Sequence, residues 1–270
     1  MTTGLDRLSS MFEGARRDKR GALMPFVVGG HPSPGALSEL LTAIDSAGAD
    51  AVEVGFPFSD PIADGPVVAA AMHDALQQGA SPASVLDEIA TIRETTELCL
   101  IAMVSVSIVE RMGGPESFVR RGAASGFDGF IFPDIAVEEA GPYADACARA
   151  EVGCSLLVAP STPLERMTEI ATLTTGFVYL LARAGTTGER RESPEIQERV
   201  RLLRSVTDLP IAVGFGISAP EHVAAVVQHA DAAIVGSALV RRIAEHGNDP
   251  APEAGRFIAT LRPGCSRAPA

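Results

Sequence analysis

The sequence predicts an α/β protein built as a closed (β/α)8 barrel. Eight short apolar runs rich in β-branched residues recur along the 270 residues, and helical patterns separate them. Because these runs are continuously apolar, they are typical of a parallel sheet whose faces are both covered. Eight strand–helix units in a chain of this length favour a closed barrel. An open, doubly wound sheet is the structural alternative.

The predicted elements alternate in strict order. The strands cover 23–28, 51–54, 98–104, 129–132, 153–158, 177–181, 211–214 and 232–235. The helices cover 34–47, 81–95, 115–125, 137–150, 163–173, 194–206, 219–228 and 250–261. Several helices begin with Ser or Thr followed by Pro, as Ser33-Pro34 does, and this pair is typical of a helix N-cap and first turn.

Additional segments complete the predicted architecture. The amphipathic segment 5–17 is expected to form an extra N-terminal helix that closes the bottom of the barrel. Short extra helices are expected after the second and eighth strands, the latter over 237–243. We interpret 1–270 as one domain, with 263–270 as a frayed tail.

Composition narrows the classes of function. A net charge of −12 argues against a nucleic-acid partner, because phosphate backbones require clustered Lys and Arg. It does not argue against a small phosphorylated ligand, which backbone N–H groups can hold. No apolar stretch reaches the length of a membrane span, and the polar start of the chain lacks a signal-peptide pattern. The four scattered cysteines form no metal-binding spacing, so we expect reduced thiols and a cytoplasmic location.

Residues 52–66, V-E-V-G-F-P-F-S-D-P-I-A-D-G-P, carry the strongest indication of function. Glu53 is an isolated acid in an apolar strand, where an ionised carboxylate is costly to bury unless it has a partner or a task. The loop that follows holds Asp60 and Asp64 between prolines. A carboxylate near a strand end that faces a fixed acidic loop suggests an acid–base site. A structural ion pair explains Glu53 equally well, and aspartate is ordinary in turns.

Glycine-containing turns after the seventh and eighth strands predict a phosphate site. They read G-F-G-I-S at 214–218 and G-S-A at 236–238. Glycine lets the backbone approach an anion, and a helix N-terminus directs N–H groups at it. Barrels often build phosphate sites from these two loops. Tight turns without a ligand are the alternative. The loop 182–193 after the sixth strand contains glycines that would let it move as a lid.

Other polar residues have simpler explanations. Asp134 is more readily a cap for the following helix than a site residue, and His31 is more readily a turn residue. Tyr179 is most often core packing, although a buried hydroxyl needs a partner. The lid arginines 183, 190 and 191 are most often solvated charges.

Together these residues resemble the α subunit of tryptophan synthase over nearly the whole chain. The most specific matches are 52–66, Y-L-L-A-R-A-G-T-T-G at 179–188, V-G-F-G-I-S at 213–218 and I-V-G-S-A-L-V at 234–240. The resemblance implies a lyase of tryptophan biosynthesis that cleaves indole-3-glycerol phosphate to indole and glyceraldehyde 3-phosphate. It implies no metal and no cofactor in this subunit, since pyridoxal phosphate is expected only on the partner β subunit of an α2β2 heterotetramer.

The resemblance also assigns roles to residues. Glu53 would be the general acid and base, and Asp64 would accept a hydrogen bond from the indole N–H and stabilise the positive ring. Phe26 and Tyr179 would line the indole pocket. The lid residue Thr187 would approach the Asp64 loop, and the phosphate would bind at Gly188, Phe215, Gly216, Gly236 and Ser237.

Three segments depart from the family pattern. The family usually has Thr-x-Gly-Asp-Pro where this chain has V-G-G-H-P at 28–32, and an aromatic, Asn-rich stretch where it has V-S-V-S-I at 104–108. Ala136 stands where the family has a second proline. Because the last two segments face the β subunit in the family, we expect lyase chemistry to survive while the partner interface has changed.

Three other functions stay open at this point. A stand-alone lyase would release free indole without a β subunit. A catalytically silent regulator of a β subunit is disfavoured by the presence of both acids and the phosphate glycines. A phosphosugar isomerase-like barrel would share only the phosphate loops and would not explain 52–66.

Overall fold

The computed structural model describes residues 2–61, 64–181, 195–214 and 216–267. Its strands are β1 (Ala22–Val28), β2 (Ala51–Gly55), β3 (Cys99–Met103), β4 (Gly129–Ile131), β5 (Gly153–Ser155), β6 (Leu157–Val158), β7 (Val178–Leu181), β8 (Ile211–Gly214) and β9 (Ala232–Val235). They form one sheet in the order β5-β4-β3-β2-β1-β9-β8-β7-β6. All the pairings between these strands are parallel.

The fifth predicted strand is divided at Leu156. Its first half, β5, pairs with β4, and its second half, β6, pairs with β7. Because consecutive halves of one strand reach the two ends of the sheet, the sheet is a nearly closed barrel. The predicted TIM-barrel architecture is confirmed, with the difference that one strand is interrupted where it passes from one neighbour to the other.

Helices cover the outside of the sheet. They are α1 (Gly4–Arg17), α2 (Ala36–Ser46), α3 (Pro66–Gln77), α4 (Pro82–Arg93), α5 (Val106–Arg111), α6 (Gly114–Ser125), α7 (Gly141–Arg149), α8 (Leu164–Leu173), α9 (Glu195–Arg204), α10 (Pro220–Val227), α11 (Ser237–Glu245) and α12 (Pro250–Leu261). The extra helices expected after the second and eighth predicted strands are α3, which follows β2, and α11, which follows β9. Helix α5 was not predicted, and the start of the predicted 137–150 helix is a 3-10 turn, Val137–Glu139.

The N-terminal helix closes the bottom of the barrel, as predicted. Leu8 and Phe12 of α1 belong to the apolar cluster formed by alternate residues of the strands, which is the inner face of the sheet. At this end the strands present small inward residues, among them Ala22, Ala51, Gly129, Gly153, Ala212 and Ala232. A Cβ on Gly153 would lie 2.6 Å from Leu8 Cδ1. The small residues therefore make the space that α1 fills.

The end of the chain corrects the prediction of a frayed tail over 263–270. Arg262–Cys265 is a 3-10 helix, and the Gly21 N–H donates to the Cys265 carbonyl at 2.9 Å. The Arg267 guanidinium donates to the carbonyls of Val227 and Ala230. The segment is ordered up to residue 267 because it pairs with the start of β1 and with the end of α10. Residues 268–270 lie outside the described part.

None of the helices in the described ranges has the length and apolar character needed to cross a membrane.

Candidate active site

A cavity of about 90 Å³ opens at the carboxyl ends of the strands. It is lined by side chains or backbone from six strands and from the loops that follow them: Phe26, Glu53, Asp64, Val68, Met103, Tyr179, Leu181, Gly214, Gly216, Ile217, Ile234, Gly236, Ser237 and Ala238. This end of a (β/α)8 barrel is where catalytic residues of such enzymes lie. The cavity therefore contains both acids that the sequence singled out.

Glu53 lies in the middle of β2 with its side chain on the inner face. Its neighbours in the sheet are Phe26 of β1 and Ile101 of β3. The side chain is completely buried, and neither carboxyl oxygen has a hydrogen-bond partner among the described residues. Burial without a partner raises the pKa of Glu53 well above its usual range and favours the protonated form. An ion pair, the structural alternative for Glu53, is not found in the described part of the chain.

Asp64 lies in the loop between β2 and α3. Its backbone N–H donates to the Pro61 carbonyl at 3.1 Å, and its side chain is half-buried at the cavity wall. Burial raises the pKa of Asp64 to about 6. At neutral pH this carboxyl is mostly ionised, whereas burial favours the protonated form of Glu53. The cavity thus contains two carboxyl groups in different environments.

Two aromatic side chains form walls of the cavity. Tyr179 lies on β7 and Phe26 on β1, both on the inner face of the barrel. Burial, together with the nearby carboxyls of Glu53 and Asp64, raises the pKa of the Tyr179 phenol. Glycines make room for both rings. A Cβ on Gly214 would lie 2.7 Å from the Tyr179 hydroxyl, and one on Gly55 would lie 2.5 Å from the Phe26 ring.

The turns after β8 and β9 form the glycine-rich part of the wall. Gly216 has a positive φ of 31°, and Gly236 is the residue before α11. Helix α11 begins at Ser237, so the positive end of its dipole borders the cavity. A Cβ on Gly236 would meet no atom within 4 Å, which leaves open space in front of this backbone. Such a surface can hold an anion with backbone N–H groups.

The structure brings together seven of the ten predicted site residues. They are Phe26, Glu53, Asp64, Tyr179, Gly216, Gly236 and Ser237. The other three, Thr187, Gly188 and Phe215, lie outside the described residues, as does the predicted lid 182–193.

Three further polar residues lie away from the cavity lining. Asp60 is exposed and accepts a hydrogen bond from Ser59. Asp134 accepts from the Ser105 hydroxyl at 2.6 Å and from the Val106 N–H at 3.0 Å. Asp134 is therefore a cap, but for α5 and not for the helix that follows it. His31 is buried, and neither ring nitrogen has a partner in the part of the chain that the structure describes.

Sequence reasoning missed several apolar residues of the cavity wall. They include Val68, Met103, Leu181, Ile217 and Ile234. The signal was available for the strand residues, because inward positions alternate along a strand. Leu181 is two residues after Tyr179, and Met103 is at the end of a strand beside the one that bears Glu53. The described residues contain no group of three or more His, Cys, Asp or Glu side chains arranged to hold a metal ion.

Comparison with known proteins identifies the family. A model of the family described as tryptophan synthase alpha chain matches residues 12–265. The tryptophan synthase alpha chain of Halorhodospira halophila is 41% identical over 90% of this chain and 89% of its own length. That of Solibacter usitatus is 40% identical over 92% and 93%.

Solved structures agree with the sequence relatives. A Mycobacterium tuberculosis tryptophan synthase chain superimposes with a TM-score of 0.90 at 32% identity, covering 97% of this chain and 99% of that one. The alpha subunit from Legionella pneumophila gives 0.89 at 30% identity, covering 96% and 98%. Both the sequence and the fold thus confirm the resemblance seen in the motifs. The chain belongs to the family of tryptophan synthase alpha chains, which are lyases of tryptophan biosynthesis.

Proposed function

We propose that this chain cleaves indole-3-glycerol phosphate to indole and glyceraldehyde 3-phosphate, with Glu53 and Asp64 as its catalytic carboxyl groups. One observation carries the proposal. A buried acid without a partner and a second acid with a pKa of about 6 line the same cavity, whose wall also includes a helix N-terminus and glycine turns. Pairs of carboxyl groups in different environments are typical of acid–base sites.

Glu53 acts as the general acid and general base in this proposal. The indole ring leaves only after a proton is added at C3, and the adjacent glycerol hydroxyl must lose a proton as the carbon–carbon bond breaks and the aldehyde forms. Because its environment favours the protonated form, Glu53 can donate the first proton and then accept the second. The carboxyl ends the cycle in the state in which it began. General acid–base assistance of this kind is typically worth about 10²–10⁴ in rate.

Asp64 and the cavity wall bind the two ends of the substrate. Ionised Asp64 accepts the indole N–H and stabilises the positive charge on the protonated ring. Phe26 and Tyr179 enclose the ring, and the backbone at Gly216, Gly236 and Ser237 binds the phosphate. Thr187, Gly188 and Phe215 stay predictions from the family pattern. In this family pyridoxal phosphate belongs to the β subunit, so no step here uses it.

Replacing Glu53 by Gln tests the proposal directly. We expect indole release to fall by at least about 10²-fold while substrate binding is largely kept, because the change is nearly isosteric. Glu88→Gln is the matched control. Glu88 is half-buried and also has a raised pKa, but it accepts the Leu37 N–H and is not among the cavity-lining residues. Near-normal turnover of Glu53→Gln would contradict the assignment.

The pH profile tests Asp64 separately. Since Asp64 has a pKa of about 6, its ionised form is lost as the pH falls below that value. We expect kcat/KM for indole-3-glycerol phosphate to decrease on the acid side with an apparent pKa near 6. Asp64→Asn should lower the rate severely and remove this acid limb. An acid limb that persists in Asp64→Asn would assign it to another group.

We also propose that the chain pairs with a β subunit through the face formed by the loops after β3 and β4. A surface groove lies beside the loop after β4, and its lining includes Ile135, Ala136 and Val137 together with Leu156, Thr162 and Arg166. Ala136 and the 104–108 segment are the two departures from the family pattern that we expect to face the β subunit. The cytoplasmic location also stays a prediction.

Mixing the purified chain with the β subunit encoded in the same genome tests the pairing. Complex formation with mutual activation would support an α2β2 assembly in which the β subunit has an interface that fits the changed segments of this chain. High turnover of the isolated chain, unchanged by the β subunit, would support the stand-alone lyase instead.

A further inference from the structure

The turn between β8 and α10 is held by a hydrogen bond to a histidine side chain of the helix that follows it. Helix α10 begins at Pro220, and its N-cap residue Ala219 offers no side-chain hydrogen bond. The imidazole of His222, inside the first turn, reaches back instead. The Ser218 N–H donates to His222 Nδ1 at 3.3 Å, and the Ser218 hydroxyl lies 3.4 Å from the same nitrogen. Because Nδ1 accepts from the backbone, the proton of the neutral ring lies on Nε2.

This contact holds a turn that borders the cavity. Gly216 and Ile217, which line the cavity wall, directly precede Ser218. Gly216 has a positive φ, and glycine loses more conformational freedom on ordering than other residues. In a capping box, a side chain in the first turn of a helix accepts a hydrogen bond from a backbone N–H just before the helix. This contact fixes the direction in which the chain enters the helix. His222 is not among the cavity-lining residues, so any effect on a ligand passes through the turn.

We propose that His222 is a positioning residue for the phosphate end of the cavity. By accepting the Ser218 N–H, it holds Gly216 and Ile217 in the geometry that presents backbone N–H groups to the phosphate. Preorganised donors bind an anion more tightly than donors that must first be ordered. The inference rests on the proposed function, which assigns this end of the cavity to the phosphate.

Two substitutions of His222 separate positioning from general damage. His222→Ala removes the acceptor, and His222→Asn returns an oxygen acceptor to about the place of Nδ1. For His222→Ala we expect KM for indole-3-glycerol phosphate and Kd for inorganic phosphate to rise about 5-fold, with kcat changed less than 2-fold. His222→Asn should restore both constants to within 2-fold of the unsubstituted chain. His229→Ala, an exposed histidine just beyond α10, is the control.

A reference variant distinguishes failure of this inference from failure of the proposed function. Gly236→Val places a bulky side chain in the open space before α11 and should weaken phosphate binding directly. If Gly236→Val weakens phosphate binding and His222→Ala does not, the role of His222 is wrong and the proposed function stands. If Gly236→Val has no effect on phosphate, both are wrong. A defect in His222→Ala that His222→Asn does not restore, or one that lowers kcat as much as it raises KM, would also overturn the role.

Discussion

The two ends of this barrel differ in whether a buried carboxyl group has hydrogen-bond partners. Asp128, at the amino-terminal end of β4, is as completely buried as Glu53. It accepts from Arg7 Nε at 2.6 Å, from Arg93 Nη1 at 3.1 Å and from the Leu100 N–H at 2.9 Å. Glu53 accepts from no described residue. Burial raises the pKa of both groups, but at Asp128 the arginines and the backbone N–H oppose it. Burial alone therefore does not distinguish Glu53 from a structural acid, whereas its lack of partners does.

Among the described residues, the arrangement at Asp128 occurs three times at the same end of the barrel. Asp50, Asp128 and Asp231 each stand directly before a strand, and we call them the aspartate clamps. Each accepts the backbone N–H of a neighbouring strand and contacts arginines from other parts of the chain. Asp50 binds Leu23 N–H, Arg20 and Arg262; Asp231 binds Ile211 N–H, Arg204, Arg16 and Arg267. These three networks thus lie at the end of the barrel opposite the cavity.

Removing a clamp gives the largest expected effect. In Asp128→Asn the side chain loses its charge, and Arg7 and Arg93 lose their partner near the buried end of β3. We expect the free energy of unfolding to fall by about 3–5 kcal/mol, measured by urea denaturation. Asp60→Asn, at an exposed loop position, is the control and should change it by less than about 0.5 kcal/mol. A loss below about 1 kcal/mol for Asp128→Asn would show that the clamps do not stabilise this end.

Adding one methyl group at each end gives the next largest difference. In Gly153→Ala the new Cβ would collide with Leu8 of α1, so we expect a loss of about 1–3 kcal/mol in the free energy of unfolding. In Gly236→Ala the new Cβ meets no atom within 4 Å, and we expect a change within about 0.5 kcal/mol. Urea denaturation of both variants checks the contrast. Equal losses would mean that the cavity end is packed as tightly as the bottom.

Glu53→Gln should stabilise the protein, by roughly 1–2 kcal/mol near pH 8, because an unpaired ionisable group leaves the interior. The sign follows from the raised pKa. Above the ordinary value of 4.5 the unfolded carboxyl releases its proton while the folded one retains it, so the stability of the unsubstituted chain falls as the pH rises. The gain should therefore shrink towards pH 5. Thermal unfolding of both proteins at pH 5 and pH 8 measures it. If Glu53→Gln stabilised the protein equally at pH 5 and pH 8, the effect would not come from ionisation of Glu53.

His31 gives the smallest expected effect. Burial lowers the pKa of His31 below 6.5, and the Asp74 carboxylate partly opposes this. As the pH falls below 6.5 the unfolded chain takes up the proton first, so the folded state loses stability. His31→Met should remove this loss, which we expect to be less than about 1 kcal/mol. Urea denaturation at pH 7.5 and pH 5.5, with His229→Met as an exposed control, checks it. An unchanged pH dependence in His31→Met would assign the loss to another group.

Apart from the division of the fifth strand at Leu156, the sequence predicted the strands, their order, the helix at the bottom of the barrel and the position of Glu53 in β2. These features depend on local patterns, because apolar runs and glycine turns act over a few neighbouring residues. The aspartate clamps left a local trace too, an Asp immediately before three strands, but their arginines are far away in sequence. Arg262 and Asp50 are 212 positions apart.

Which carboxyl groups have partners depends on the tertiary structure. Asp128 pairs with two arginines, and Asp134 accepts hydrogen bonds at the start of α5. The Arg267 guanidinium donates at the end of α10, whereas Glu53 has no partner among the described residues. A hydrogen bond or ion pair of this kind joins segments that are distant in sequence, so no local sequence pattern predicts it. The pKa of a buried acid depends on that contact as much as on burial.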